Sequence, residues 1–421
     1  MPETTPRNTQ QQKHALAEPD ATQPPQSQIH DVVHADKRSV RWSARRRRDA
    51  WFLLLVLLLG VATLVALSSG ATLRSGQANV TQPGTSPTSV PTVSATSGTQ
   101  VPSVRTMVRT AQMRLYPFPS SNVGLMQPTV DAQGNLWVGE MYANRLARLD
   151  SRTGVVTTWE PPNGKYGIMT AAVDIRGNVW FVEQGANYIG RFDPVRQTFR
   201  TFPLGTSNGH PLGPQALQFD ASGNLWFTGV SAGRIGRLDP TTGVIQTWVV
   251  PPPAPKISTL PFSLAVTHDG QVWFGDLTGG AVGHLDPATD RVTLYRLADP
   301  QAQVFSMASD ARGRIWFTEI VPGKLGLIDS ATGRVTELLV PAVAGHPAAL
   351  YGLVVAHDGA VWFVNNGADA LVRYSPKDTS YTFFQLSPPS SAPYGLTLDS
   401  AGRLWFTASG SSANTVGEMH P

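Results

Sequence analysis

Two glycine-histidine-proline triplets, Gly209–Pro211 and Gly345–Pro347, carry the histidines best placed to do chemistry in this chain. His210 and His346 each stand sixteen residues before a tryptophan, Trp226 and Trp362. An imidazole titrates near neutral pH, so it can accept a proton as a general base or ligate a metal. A second set lies three residues past a tryptophan: Glu140, Glu183, Asp276 and Glu319. Carboxylates gathered around one opening suit a hard cation such as Mg2+, or a cationic ligand. A third set lies eleven residues before a tryptophan, where Gln215, Tyr351 and Tyr394 offer an amide and two phenols for ligand contact. Each set also has a plain structural reading. A loop histidine beside proline can be only a loop residue, the acids can pair within their own sheets, and the tyrosines can fill space.

These spacings come from an internal repeat. Tryptophan recurs at Trp137, Trp180, Trp226, Trp273, Trp316, Trp362 and Trp405, at intervals of 43, 46, 47, 43, 46 and 43 residues, with glycine three residues before each. One unit, DASGNLWFTGVSAGRIGRLDPTTGVIQTWVVP from Asp220, reads as four short strands punctuated by DxxGN and DPTTG turns. Seven such units predict an all-β, seven-bladed β-propeller, with the repeated tryptophan packed between blades. In this strand order the first strand starts and the second ends on one face of the disc. The head residues, the acids and the two GHP loops therefore share that face, whereas His268 and His357 fall in turns on the other. The last unit ends at its third strand, NTVGEMHP. The segment Met107–Pro119 is expected to supply the missing fourth strand and close the ring.

Ahead of the repeats the composition changes three times. Residues 1–49 are polar, rich in Gln and Pro, and end in the basic block Lys37–Arg48, which reads as a disordered cytoplasmic tail. Residues 50–73 contain WFLLLVLLLGVATLVAL and are long enough to cross a bilayer as one helix. Basic residues before this span place the N-terminus inside and the rest outside. Residues 74–106 are a Ser/Thr/Pro-rich linker, and 107–421 is the propeller.

The runs GNLWFTG and IGRLDPTTG, with the PYG at Pro393–Gly395, resemble the streptogramin lyases, the virginiamycin B lyase family, over roughly residues 107–421. That resemblance implies a seven-bladed fold and an activity that opens a cyclic depsipeptide by elimination. It also implies a histidine heading the innermost strand in each of the last two blades, with nearby glutamates holding Mg2+. This chain has Tyr351 and Tyr394 at those heads, Ala392 two residues before the last head, and Ser409 just past WFTA. The family's catalytic histidine and glutamate positions are thus not matched.

Composition narrows the remaining choices. The chain has 421 residues, no cysteine and a formal charge of +4, most of it in the first 50 residues. Thiolate chemistry is excluded. The propeller is near neutral with scattered charge, so a nucleic-acid partner is not expected. The reading that results is a monomeric, membrane-anchored, extracytoplasmic propeller, a module that binds a small-molecule or peptide ligand. The alternative is a Mg2+-dependent carbon–oxygen lyase with relocated catalytic groups, using His210 or His346 with the acids.

Overall fold

The computed structural model describes residues 105–420 except 111, 121–122, 163–166, 256, 344, 388–390 and 411–413. The expected tail, membrane span and most of the linker lie outside these residues. Among the described residues no helix is long and apolar enough to cross a membrane.

Seven blades follow one another along the chain, six of four strands and one of five, with consecutive strands of each blade paired antiparallel. Blade two is representative, with strands Ile168–Val173, Val179–Glu183, Tyr188–Asp193 and Thr198–Pro203. Its second strand is buried at all five positions. That strand lies mid-sheet with a neighbouring blade on each side, which is why it reads VWF rather than as an apolar–polar alternation. The outermost strand is mostly exposed.

The repeated tryptophans are no more than 2 % exposed in any blade, as inter-blade packing requires. Trp226 of blade three, for example, packs with Leu264, Val272 and Phe274 of blade four. Burying an indole removes on the order of 200 Å² from water. At ~25 cal/mol/Å² that is worth about 5 kcal/mol as an upper bound. The turn aspartate six residues earlier orients the ring. Asp131, Asp174, Asp220, Asp310 and Asp399 each accept a hydrogen bond from the tryptophan Nε1, at 2.9, 2.9, 2.9, 3.2 and 3.0 Å. Blade four has Thr267 instead, and the Trp273 Nε1 has no hydrogen-bond partner among the described residues. An arginine covers the indole face, from the third strand as with Arg237 at 5.6 Å from Trp226, or from the turn before the second strand as with Arg403 at 5.2 Å from Trp405.

Strands two and three are keyed by a phenylalanine–glycine pair. Phe181, Phe227, Phe274, Phe317 and Phe406 face Gly190, Gly236, Gly283, Gly326 and Gly417. A Cβ on any of these glycines would lie 1.9–2.1 Å from the ring. Blade one makes the complementary choice: Val138 replaces the phenylalanine and Ala147 the glycine. In blade six Phe363 faces Val372.

The strand expected over Met107–Pro119 is two strands. Met113–Pro117 completes blade seven, antiparallel to Thr415–Met419 in a register from Met113 opposite Met419 to Pro117 opposite Thr415. Arg105–Thr110 instead pairs in parallel with Ser380–Gln385, giving blade six a fifth strand. The partner strand in blade seven is only five residues long, so residues before Met113 find no pairing groups there. They take up the outer edge of blade six instead.

Candidate functional site

The channel face is built from the start of each innermost strand. In blades two to seven the pairing of strands one and two slips at this point, for instance between Pro214 and Leu217, and between Pro393 and Leu396. The head residue falls inside this bulge. A bulge leaves its extra residue out of the ladder and re-aims the side chain. Here the re-aimed side chains meet. Phe305 of blade five lies 4.7 Å from Tyr351 of blade six and 5.4 Å from Tyr394 of blade seven. Tyr351 and Tyr394 are 5.6 Å apart, and Phe262 of blade four is 5.1 Å from Phe305. Rings from four blades thus form one aromatic floor across the channel.

Each head residue, Met126 and Met169 included, is at most 8 % exposed. Gln215 is buried too, and its Oε1 accepts a hydrogen bond from Gln184 Nε2 at 2.8 Å. Burial, helped by the neighbouring phenols of Tyr351 and Tyr142, pushes the Tyr394 hydroxyl far above the usual tyrosine range. Tyr142, on the loop between strands two and three of blade one, is 48 % exposed. The glycines after the head tyrosines allow the first strands to crowd together: a Cβ at Gly352 would lie 2.9 Å from the Tyr394 carbonyl, and one at Gly395 2.6 Å from Pro128.

The four acids lie one to a blade and are fully buried. Glu140 is bound by Arg145 at 2.6 Å. Asp276 accepts hydrogen bonds from the Leu260 and Thr278 amides, each at 3.0 Å. Glu183 sits beside Tyr188, whose hydroxyl is pushed up by burial and by the glutamate charge. Among the described residues neither oxygen of Glu319 takes a hydrogen bond. Its pKa is raised to about 8, chiefly by burial and then by the adjacent Glu337 carboxylate, which Lys324 holds at 2.8 Å. Burial likewise raises Glu140 and Asp276. Among the described residues no three His, Asp or Glu side chains come together to hold a metal ion. At the positions where the resemblance implies Mg2+-holding glutamates, Ala392 has no ligating group and the Ser409 hydroxyl accepts the Leu125 amide at 2.9 Å. The residues present do not fit a Mg2+ site.

The two histidines are not brought together in one site. His210 lies in a hairpin inserted before blade three, Thr206–Ser207 paired with His210–Pro211. It lines a cavity of about 380 Å³ between that hairpin, the turn Val230–Ala232 and the residues leading into blade four, and His346 is not part of the lining. His346, half-buried, closes its own loop through a backbone bridge to Val343. Sequence reasoning missed the far wall of the cavity, Ile257 to Leu260. The signal was present, because the 47-residue interval before Trp273 is the longest of the six.

A seven-bladed propeller with a re-aimed head residue in six of its blades narrows the comparison with known proteins. The virginiamycin B lyase family profile matches residues 92–351 and again 213–421. This chain belongs to that family. No curated protein matches it in sequence. Among solved structures, virginiamycin B lyase from Staphylococcus aureus superposes with a TM-score of 0.66 at 22% identity, covering 74% of this chain and 99% of that one. A streptogramin B lyase gives 0.65 at 25% identity, covering 73% and 97%. A catalytically inactive histidine-to-alanine form of the S. aureus enzyme with quinupristin gives 0.65 at 22%, covering 74% and 99%. In this member of the virginiamycin B lyase family the head tyrosines belong to a packed aromatic floor.

Proposed function

We propose that this protein is a ligand-binding member of the virginiamycin B lyase family that holds a cyclic peptide or similar apolar ligand on its aromatic floor without opening it. The observation that carries this reading is the state of Tyr351 and Tyr394. They stand where the family resemblance calls for histidines, they are buried, and the Tyr394 phenol is displaced away from, not toward, a pKa at which it could serve as a base. The relative solved with quinupristin is described as inactive when a single histidine becomes alanine. The rings touch across blades and are almost wholly covered, so the aromatic surface left to meet a bulky ligand is chiefly that of Tyr142, 48 % exposed beside them. The apolar run 51–67 would anchor the chain in a membrane, with the propeller outside. Protease added to intact cells should then release the propeller; full protection would contradict this placement.

The functional test is to incubate the full chain in detergent with a streptogramin B and excess Mg2+, then separate the products by chromatography. Quenching of protein fluorescence with recovery of intact compound is the expected result. Accumulation of a ring-opened isomer of unchanged mass, lost in His210→Ala or His346→Ala, would establish the lyase alternative instead.

A further inference from the structure

We infer that the cavity beside His210 is a second binding site, built for a short neutral peptide or peptide-like amide. It goes beyond the aromatic-floor reading and stands without it, since none of the floor residues lines it. The cavity exists because of two additions to the repeat. One is the hairpin Thr206–Pro211, which forms its own two-stranded sheet. The other is the proline-rich lead into blade four, whose Ile257 is 38 % exposed toward solvent. The hairpin is fixed from below: Arg234 Nε donates to the Ser207 hydroxyl at 2.6 Å, and the Asn187 side-chain oxygen accepts the Gly213 amide at 3.0 Å. An appended loop so anchored keeps its shape in the absence of ligand, which lowers the entropic cost of binding.

The lining decides the ligand class. Hydroxyls of Ser207, Ser231 and Thr259 and the His210 imidazole alternate with the aliphatic Val230 and Ile257. Among the described lining residues there is no acid, lysine or arginine, and the Arg234 guanidinium behind Ser207 is already engaged by the Ser207 and Thr247 hydroxyls, so an ionised ligand finds no dedicated counter-charge among them. Nor do the described lining residues include a phenyl, phenol or indole ring to stack on a sugar. What remains is a neutral molecule carrying hydrogen-bonding groups between small apolar ones, which describes a peptide backbone with aliphatic or hydroxyl side chains. A volume of about 380 Å³ lies within the range of small-ligand pockets.

The absence of cysteine gives a direct test. Ser258 is exposed at the rim, so Ser258→Cys introduces the only thiol of the full chain where it disturbs no packing. Its alkylation by iodoacetamide is timed with N-acetyl-valyl-serine amide and related capped dipeptides, with the uncapped zwitterions, and with methyl glucoside. The capped peptides are expected to slow alkylation by about threefold at twice their dissociation constant, by mass action. Zwitterions and the glucoside should not, and adding Ile257→Asp should remove the protection. Tyr394→Ala should leave it intact, which separates failure here from failure of the aromatic-floor reading. Unchanged alkylation with every capped peptide at millimolar concentration, or equal protection by the charged and sugar probes, would overturn the proposal.

Discussion

Gly236 shows how a single residue carries the blade geometry. Its Cβ position is filled by the Phe227 ring, at 2.1 Å, so Gly236→Ala should cost about 1–3 kcal/mol, the usual range for overpacking. Blade one supplies the remedy in its own sequence, since Val138 tolerates Ala147 opposite. The pair Gly236→Ala with Phe227→Val should therefore recover part of the loss in denaturant unfolding. A double variant less stable than the sum of the singles would show that the ring and the glycine are not keyed. Glu319 makes a different residue-scale prediction. Its folded pKa is raised from 4.5 to about 8, so between those values the folded chain holds a proton that the unfolded chain has lost. Stability from this group is present below pH 4.5 and is lost as pH rises to about 8. Glu319→Gln should remove that part of the pH dependence, so the variant gains on the parent as pH rises. Parallel stability curves for parent and variant would contradict the assignment. What the sequence disclosed at this scale was residue type: the tyrosines at 351 and 394 were visible. Their burial was not, because a bulge re-aims a head side chain through backbone register, which the apolar–polar pattern of six residues does not encode.

At the scale of elements the ring depends on its seam. Tyr116, on the strand that completes blade seven, donates to Glu418 at 2.7 Å, and Arg403 reaches the same carboxylate at 3.1 Å while also binding Asp399. The Tyr116 hydroxyl is raised to about 12, first by burial and then by Glu418. Tyr116→Phe should cost about 1–2 kcal/mol, the penalty of leaving a buried acceptor short of a donor. Removing residues 105–110 should cost less, since all six are exposed and blade six keeps its four strands. If thermal unfolding ranks these two the other way, the parallel strand on blade six matters to closure more than its exposure implies. The seam was partly legible. The seventh unit plainly lacked a fourth strand, and the alternation of Met113, Leu115 and Tyr116 pointed to its source. That the preceding six residues would cross to blade six was not legible. An edge strand with every side chain exposed carries no burial pattern, and its place is set by where unpaired backbone groups remain.

Taken whole, the molecule separates fold from chemistry. Tryptophan, glycine and aspartate at a period of about 45 residues specify seven blades, because each blade must bury a second strand on both faces and can do so only against its neighbours. The chemistry lies in positions the repeat leaves free, and those have diverged. Four buried acids remain, one to a blade, and among the described residues they do not gather into a metal-holding cluster. The face that would carry histidines carries touching aromatic rings instead, and the loops around it have built a separate cavity. The function proposed above rests on that divergence, with tyrosine in place of histidine at positions 351 and 394. One calorimetric titration tests that claim most directly: a streptogramin B added to the full chain with Mg2+ present, and the contents of the cell analysed afterwards. Saturable heat that is weakened in Tyr394→Ala, with all of the compound recovered intact, is the predicted result. Steady heat release after each injection, with ring-opened compound in the cell, would contradict it.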